Sequence, residues 1–131
     1  MSIRLGGTVV HGQQLGRRLG FPTANLDVGE ILPPLPASGV YAAWATLADG
    51  RTFRAMVNVG YRPTVDATRK KLSIEAHLDG FAGDIYGQRL SLDLVCWLRD
   101  ERRMASLEQL KAQLADDLAA VRRMLVDGNQ S

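Results

Sequence analysis

The order of the hydrophobic patterns limits the fold more than any other feature of the sequence: alternating runs come first, and one helical run comes last. Apolar and polar residues alternate along Leu72–Leu78 and again along Leu90–Leu98, as they do in strands that bury one face. No helical pattern separates the strand-like runs, although a parallel sheet needs long crossover connections. The order therefore favours a mainly β fold, a small antiparallel barrel or sandwich with one helix packed on it.

The two alternating runs also predict which side chains enter the core. In the first run the predicted inner face consists of Ile74, Ala76 and Leu78, and the outer face of Ser73, Glu75 and His77. In the second run the predicted inner face consists of Leu90, Leu92, Leu94 and Leu98. The polar side chains of both strands are therefore predicted to point away from the interior.

The remaining strands are predicted from turn signals. The segment Gly39–Gly60 is predicted to form a hairpin, because two apolar, β-prone runs flank Asp49-Gly50, a frequent hairpin turn. A shorter strand is predicted within Gly6–Gly12. Residues 12–38 are rich in Gly and Pro and are predicted to be a long connection, and loops of that length usually carry function.

The C-terminal segment changes to helical spacing. Its apolar residues recur every three or four positions: Leu107, Leu110, Leu114, Leu118, Val121 and Leu125. Ser106 and Gln109 form a capping-box pattern at the start, and Asp127–Asn129 are predicted to end the helix. We expect an amphipathic helix of about five turns.

Size and composition fit a single cytoplasmic domain that spans residues 1–131. Apolar residues make up 46% of the chain and charged residues 23%, with a net charge of +2, which is too small to require nucleic acid. The single cysteine, Cys96, excludes an intrachain disulfide. No apolar run approaches the roughly 18 residues of a membrane span, and the first residues lack the apolar core of a signal peptide.

Three features are candidates for chemistry. Five glycines surround Arg17 and Arg18, and such a loop can bring backbone amides close to phosphate oxygens, although tight turns alone would also explain it. These glycines are Gly6, Gly7, Gly12, Gly16 and Gly20. Behind them, Thr23 and Asn25 follow Pro22 and project to one side of an extended segment. Their neutral oxygens suit Mg²⁺ on a nucleotide, or a local turn that satisfies its own backbone.

The third candidate is Glu75, a carboxylate on a strand face that points away from the core. Such a group can act as a general base, but an exposed strand glutamate has the same pattern. His77 shares this face and is either a ligand contact or a partly buried polar residue. Trp44 and Trp97 lie in predicted strands, where core packing is expected.

Together these segments resemble the bacterial riboflavin kinase family. The resemblance is carried by GGTVVHGQQLGRRLGFPTANL, GVYAAW, VNVGYRPT and the block from IEAHLDGFAGDIYG through LRDE to LADD, and by their order. It implies a Greek-key barrel of about six strands with a C-terminal helix. It also implies transfer of the ATP γ-phosphoryl group to the terminal ribityl hydroxyl of riboflavin, which gives FMN and ADP.

The resemblance assigns roles to individual residues. It implies Glu75 as the catalytic base, and Thr23 and Asn25 as the residues that engage Mg²⁺, or another divalent cation, on the nucleotide. The ATP-binding residues that it implies are Gly7, His11, Gly12, Gly16, Arg17, Pro22, Thr23, Asn25, Asn58 and Gly60. The riboflavin-binding residues that it implies are Glu75, His77, Trp97 and Arg99.

The expected partners are riboflavin and ATP, with no nucleic acid and no membrane. Bacterial members often carry an FMN adenylyltransferase half, so a longer native chain with that domain is compatible with the resemblance. Two rival interpretations use the same barrel without catalysis. One is a module that contacts nucleic acid or a protein, and the other is a carrier that binds a flavin without making it.

Overall fold

The computed structural model describes residues 3–11, 19–29, 35–63 and 70–126. Within these ranges six strands form a closed barrel in the order β1-β2-β5-β4-β3-β6, and every neighbouring pair is antiparallel. The strands are β1 (Ile3–Val10), β2 (Ala24–Asp27), β3 (Gly39–Leu47), β4 (Thr52–Pro63), β5 (Lys70–Leu78) and β6 (Arg89–Arg99), and the helix is α1 (Leu107–Met124). Because β6 returns to lie beside β3, the order β6-β3-β4-β5 is a Greek key. The predicted fold class is confirmed.

The β3–β4 hairpin forms where the turn signal predicts it. Gly50 adopts a positive φ of 94°, a conformation that glycine reaches without steric cost. The carboxylate of Asp49 accepts a hydrogen bond from the backbone N–H of Arg51 at 3.0 Å. β4 runs three residues beyond the predicted end of the hairpin, to Pro63 rather than Gly60.

β2 is an element that the sequence pattern did not reveal. It has four residues, lies inside the predicted connection 12–38, and has one fully buried side chain, Leu26. It pairs with β1 on one side and with β5 on the other. This short strand therefore closes the barrel and fixes the neighbours of Asn25.

The structure has two apolar cores, one on each face of the barrel wall. The interior is filled by alternating side chains of all six strands, among them Ile74, Leu90 and Leu92, each no more than 2% exposed. The second core lies outside the barrel, where α1 packs on β3 and β4. Its buried members are Val40, Ala42, Met56, Val121 and Leu125.

One predicted inner residue, Leu98, lies on the other face. The pairing register between β3 and β6 shifts between Ala42 and Ala43, which pair with Cys96 and Leu94. The extra residue, Val95, forms a bulge that reverses the alternation beyond it. Leu98 consequently packs against the outer core, and its prediction as an inner residue was wrong.

The helix begins as predicted. Ser106 is the N-cap, and its hydroxyl accepts a hydrogen bond from the backbone N–H of Gln109 at 3.1 Å. The Gln109 side chain accepts from the N–H of Ala105 at 3.1 Å, one residue before the position that a standard capping box uses. The predicted end at Asp127–Asn129 lies outside the described residues. In the described part of the chain, no helix is both long and apolar enough to cross a bilayer.

Candidate active site

A row of side chains crosses the outer face of the barrel. Asn25 on β2 pairs with Glu75 on β5, and Glu75 pairs with Asn58 on β4. The row continues through Val40 on β3 to Arg99 on β6. These residues point outward because their neighbours along each strand, such as Ile74, point inward. The strand order thus places three polar side chains side by side, although they are far apart in sequence.

Thr23 joins this row from the segment just before β2. Its hydroxyl donates a hydrogen bond to Glu75 Oε1 at 3.4 Å. Thr23 and Asn25 therefore lie beside one carboxylate, two residues apart on the same side of the chain. The structure brings together the three residues on which the sequence hypothesis depends.

Two cavities meet at this cluster. The helix-side cavity, of about 430 Å³, lies between the barrel and α1 and is lined by Phe21, Thr23, Glu75, Leu110, Leu114 and Asp117, among others. The loop-side cavity, of about 510 Å³, lies under the segment Phe81–Tyr86 and is lined by His11, Pro22, Thr23, Asn25 and Tyr86, among others. Thr23 lines both cavities, and so it marks their junction.

The wall of the helix-side cavity contains a buried ion pair. Asp117 on α1 accepts two hydrogen bonds from the Arg99 guanidinium, at 2.9 and 2.7 Å, and a third from Gln113 at 3.0 Å. The Asp117 side chain is 4% exposed and that of Arg99 is 15% exposed. This bidentate pair ties the helix to the barrel beside the site.

Asn58 adds an acceptor that has no partner among the described residues. Its Oδ1 is buried, and no described residue donates a hydrogen bond to it. Buried polar atoms are rarely left without a partner, and Asn58 lines the helix-side cavity together with Glu75. A ligand hydroxyl or N–H in that cavity would satisfy the atom. Asn58 was predicted to bind ATP, but the structure places it on the helix side of the junction.

Two predicted ATP-binding glycines line neither cavity. A Cβ on Gly7 would lie 2.0 Å from the backbone oxygen of Asp27, and a Cβ on Gly60 would lie 2.8 Å from Oε1 of Glu101. Gly7 therefore needs to be glycine because the backbone of Asp27 leaves no room for a Cβ, whereas the side chain of Glu101 can move away from Gly60. Three further predicted ATP-binding residues lie outside the described residues: Gly12, Gly16 and Arg17.

Of the four predicted riboflavin-binding residues, two line a cavity and two do not. Glu75 and Arg99 line the helix-side cavity, whereas His77 and Trp97 line neither cavity. His77 is buried, with its Nδ1 bonded to the carbonyl of Pro22. Trp97 is 46% exposed, and its ring N–H donates to the carbonyl of Ser38 at 3.2 Å. The expectation of a core position was wrong for Trp97, whereas Trp44 packs against the outer core.

Some residues of the cavities were not singled out from sequence. Tyr86 stacks on His11 with ring centroids 3.6 Å apart at the loop-side cavity, and no local pattern connects two residues so distant in sequence. Asp117 did carry a signal. It lies three positions after Leu114 and four before Val121, so a carboxylate occupies the apolar stripe of the helix, where a partner is required.

The donor set at the junction fits a hard cation only if the ligand supplies further oxygens. Thr23 and Asn25 offer one neutral oxygen each, and Glu75 offers a carboxylate. Among the residues that the structure describes, no group of three or more His, Cys, Asp or Glu side chains converges on a metal position. Such a set matches Mg²⁺, which binds through few protein ligands together with substrate phosphates and waters.

The fold is a small closed β-barrel with one helix packed on it, and comparison with known proteins gives the family. Residues 1–125 match the family model Flavokinase, described as riboflavin kinase. The chain is 44% identical over 121 residues to the bifunctional riboflavin kinase/FMN adenylyltransferase of Pseudomonas fluorescens, covering 92% of this chain. The chain therefore belongs to the riboflavin kinase family, which confirms the resemblance seen in the sequence.

Solved structures agree with the fold. A riboflavin kinase from Trypanosoma brucei superposes with a TM-score of 0.71 at 22% identity, covering 97% of this chain and 82% of that one. A Streptococcus pneumoniae structure described as a macrolide-efflux protein gives a TM-score of 0.81 at 33% identity, covering 91% of this chain and 38% of that one. The chain also spans only 38% of the length of the Pseudomonas fluorescens relative.

Proposed function

We propose that this chain transfers the γ-phosphoryl group of ATP to the terminal ribityl hydroxyl of riboflavin, giving FMN and ADP. One observation carries the proposal: Thr23 lines both cavities and donates a hydrogen bond to Glu75. A phosphoryl donor in one cavity and an alcohol in the other would meet at these side chains. Family membership supports the identity of the two substrates.

The walls of the cavities support one orientation of the substrates. One part of the wall of the helix-side cavity is apolar and consists of Val40, Met56, Leu110 and Leu114, and it suits a flat, largely apolar ring system. We assign riboflavin to it. The loop-side cavity contains Asn25 and Pro22 beside Thr23, and we assign the nucleotide to it. The adenine ring of the nucleotide would contact the stacked rings of His11 and Tyr86.

In the proposed reaction, the ribityl oxygen forms a bond to the γ-phosphorus as the bond from that phosphorus to the β,γ-bridging oxygen breaks. The proton of the hydroxyl passes to Glu75, and ADP leaves with the bridging oxygen. Because such transition states are loose, the protein acts mainly by positioning and by balancing charge. Asn58 Oδ1 would accept a hydrogen bond from a second ribityl hydroxyl.

Thr23 and Asn25 would hold a divalent cation such as Mg²⁺ through their side-chain oxygens. When bound, the cation would neutralise charge on the phosphate oxygens. The chain itself supplies the general base: Glu75 orients and deprotonates the alcohol.

The test is to incubate the purified chain with riboflavin, ATP and Mg²⁺ and to separate the flavins. FMN formed together with an equal amount of ADP supports the proposal. Tight flavin binding without turnover would support the flavin carrier instead, and neither binding nor turnover would support a non-catalytic module. Omitting the divalent cation should abolish turnover if the assignment of Thr23 and Asn25 holds.

The setting of this activity in the cell is also a prediction. The relatives from Pseudomonas fluorescens and Escherichia coli are named as bifunctional riboflavin kinase/FMN adenylyltransferases. A linked domain of that kind in a longer chain, and a cytoplasmic location, fit the same proposal. The reaction product FMN is the substrate that such a linked domain would use.

A further inference from the structure

His77 is buried on the outer face of β5, yet it lines neither cavity. It is 9% exposed, and it pairs across the sheet with the buried Met56 of the outer core. Its Nδ1 lies 2.8 Å from the carbonyl oxygen of Pro22. Its ring meets the ring of Phe21 edge-on, with centroids 5.6 Å apart. The two residues immediately before Thr23 therefore both rest on His77.

The hydrogen bond defines the state of the ring. A carbonyl oxygen can only accept, so the bond to Pro22 requires a hydrogen on Nδ1 of His77. A buried polar group of this kind is retained only when it is satisfied, and losing one partner costs more than the bond itself contributes. The Nδ1–H group of His77 is thus directed at the carbonyl oxygen of Pro22. A residue that only filled space would not need such a donor.

This bond replaces a backbone ladder that stops at the same place. β2 pairs with β5 as far as Ala24 opposite Ala76, so the next position would set Thr23 opposite His77. Pro22 has no N–H and cannot donate a hydrogen bond to extend the ladder. Beyond Ala24, the side chain of His77 therefore binds the segment before β2, because the backbone of β5 no longer pairs with it.

We propose that His77 is a positioning residue that fixes Pro22 and thereby aims the side chains of Thr23 and Asn25 at the junction of the two cavities. The inference rests on the proposed function, because it assigns the nucleotide to the loop-side cavity. Pro22 and Asn25 line that cavity alone, and Thr23 lines both. Loss of the bond should therefore weaken the use of ATP more than the use of riboflavin.

Three substitutions separate the hydrogen bond from the bulk of the ring. His77→Asn keeps an N–H near the position of Nδ1, His77→Gln moves the donor outward to the position of Nε2, and His77→Leu keeps comparable volume without a donor. We expect the Gln and Leu variants to lose about 10- to 100-fold in kcat/KM for ATP, as misplacement by about 1 Å can cause. The Asn variant should stay within about threefold of wild type.

The same variants also distinguish a positioning role from a purely structural one, through kcat/KM for each of the two substrates. The loss in kcat/KM for ATP should exceed the loss for riboflavin by about tenfold, whereas a drop in the folded fraction would lower kcat and leave both KM values unchanged. Thermal unfolding of each variant separates the two effects. The proposal would be overturned if the Asn and Leu variants had equal activity, whether both were close to wild type or both were about 10- to 100-fold lower.

A measurement that needs no activity keeps the inference separate from the proposed function. In long-range ¹H–¹⁵N spectra of the ¹⁵N-labelled chain, His77 should show a hydrogen on Nδ1. Both variants lose the ring, but the backbone amide signals of Thr23 and Asn25 should shift further in the Leu variant than in the Asn variant. A hydrogen only on Nε2 would refute the positioning role. Absence of FMN formation by wild type would refute the proposed function and leave the spectra to decide on His77.

Discussion

At the scale of single residues, Glu75 carries the largest predicted effect. Glu75→Gln keeps the shape of the side chain and removes its basicity, so the ribityl proton loses its acceptor. We expect kcat to fall by about 10²- to 10⁴-fold, the usual contribution of general base catalysis, with little change in ATP affinity. Turnover is measured as FMN formed under saturating substrates, and ATP affinity by calorimetry with a non-hydrolysable analogue.

Glu108→Gln is the matched control for Glu75→Gln. Glu108 is an exposed glutamate in the first turn of α1, and it lines neither cavity. Its substitution should leave kcat unchanged. If Glu75→Gln turned over at a rate near that of the control, Glu75 would not be the base.

The sequence indicated some site residues and not others for a physical reason. The extended Pro22–Asn25 segment predicted that Thr23 and Asn25 share a side, because that depends on local geometry alone. The contact of both with Glu75 depends on β2 lying next to β5, which no local signal contains. The alternation of β5 placed His77 on the outer face with Glu75. It could not show that Glu75 lines a cavity whereas His77 contacts Pro22 and lines none.

At the scale of elements, the docking of α1 on the barrel depends on the buried pair of Asp117 and Arg99. Asp117→Ala would leave the Arg99 guanidinium buried without its carboxylate and would remove the partner of Gln113. Breaking a buried pair by removing one member typically costs about 3–5 kcal/mol. We expect a loss of that order in the free energy of unfolding, measured by urea denaturation at neutral pH.

The neighbouring aspartate provides the control for this prediction. Asp116 is exposed on the same turn of the helix, and its replacement with Ala should change the free energy of unfolding by no more than about 0.5 kcal/mol. Because Ala has a higher helix propensity than Asp, a similar loss in both variants would mean that removal of a negative charge destabilises the helix, not loss of the pair.

A second contact at the far end of α1 should make stability depend on pH. Arg122 donates two hydrogen bonds to Asp79, at 2.7 and 2.9 Å, and Arg54 lies 3.8 Å from the same carboxylate. The hydrogen bond from Arg122 is the main cause that lowers the pKa of Asp79. A lowered folded-state pKa contributes stability above the unfolded value of about 3.9, and this contribution is lost as the pH falls through the folded value.

Arg122→Ala tests this pH dependence. Its Tm should lie below that of wild type by a constant amount from about pH 5 to 8, and the difference should shrink below about pH 4, where Asp79 protonates in both proteins. Arg123→Ala removes the same charge from the next, exposed position and should show no such convergence. If the two variants followed the same curve, the bond between Arg122 and Asp79 would contribute nothing specific.

Elements were predictable where their signals were local. The β3–β4 turn follows from Asp49-Gly50, and the start of α1 follows from Ser106 and Gln109, because a few neighbouring atoms determine both. β2 was missed because a strand of four residues has too few positions to show alternation, and only Leu26 is buried. The bulge at Val95 is set by pairing with β3, so Leu98 could not be placed from β6 alone.

At the scale of the whole molecule, the two cavities depend on different cores. The loop-side cavity is built from the barrel and its loops, whereas the helix-side cavity needs α1 to stay docked on the outer core. A docked helix can open locally without unfolding the barrel, because free energies of local opening vary across a structure. The proposed sites for riboflavin and ATP should therefore respond differently to changes in the two cores.

A matched pair of substitutions tests this separation. Val121 in the outer core and Val59 in the barrel interior are both fully buried, and neither lines a cavity. Replacing either with Ala removes two methyl groups and should cost about 2 kcal/mol of stability. Only Val121→Ala loosens α1, so it should weaken riboflavin binding by about 3- to 10-fold, since affinity falls with the docked fraction.

ATP binding should be unchanged in both variants, because the loop-side cavity contains no residue of α1. Riboflavin affinity is measured by quenching of flavin fluorescence, and nucleotide affinity by calorimetry, at a temperature where both variants are folded. Equal weakening of riboflavin binding by Val121→Ala and Val59→Ala would show that α1 and the barrel open as one unit. Weakened ATP binding in Val121→Ala would instead place part of the nucleotide on the helix side of Thr23.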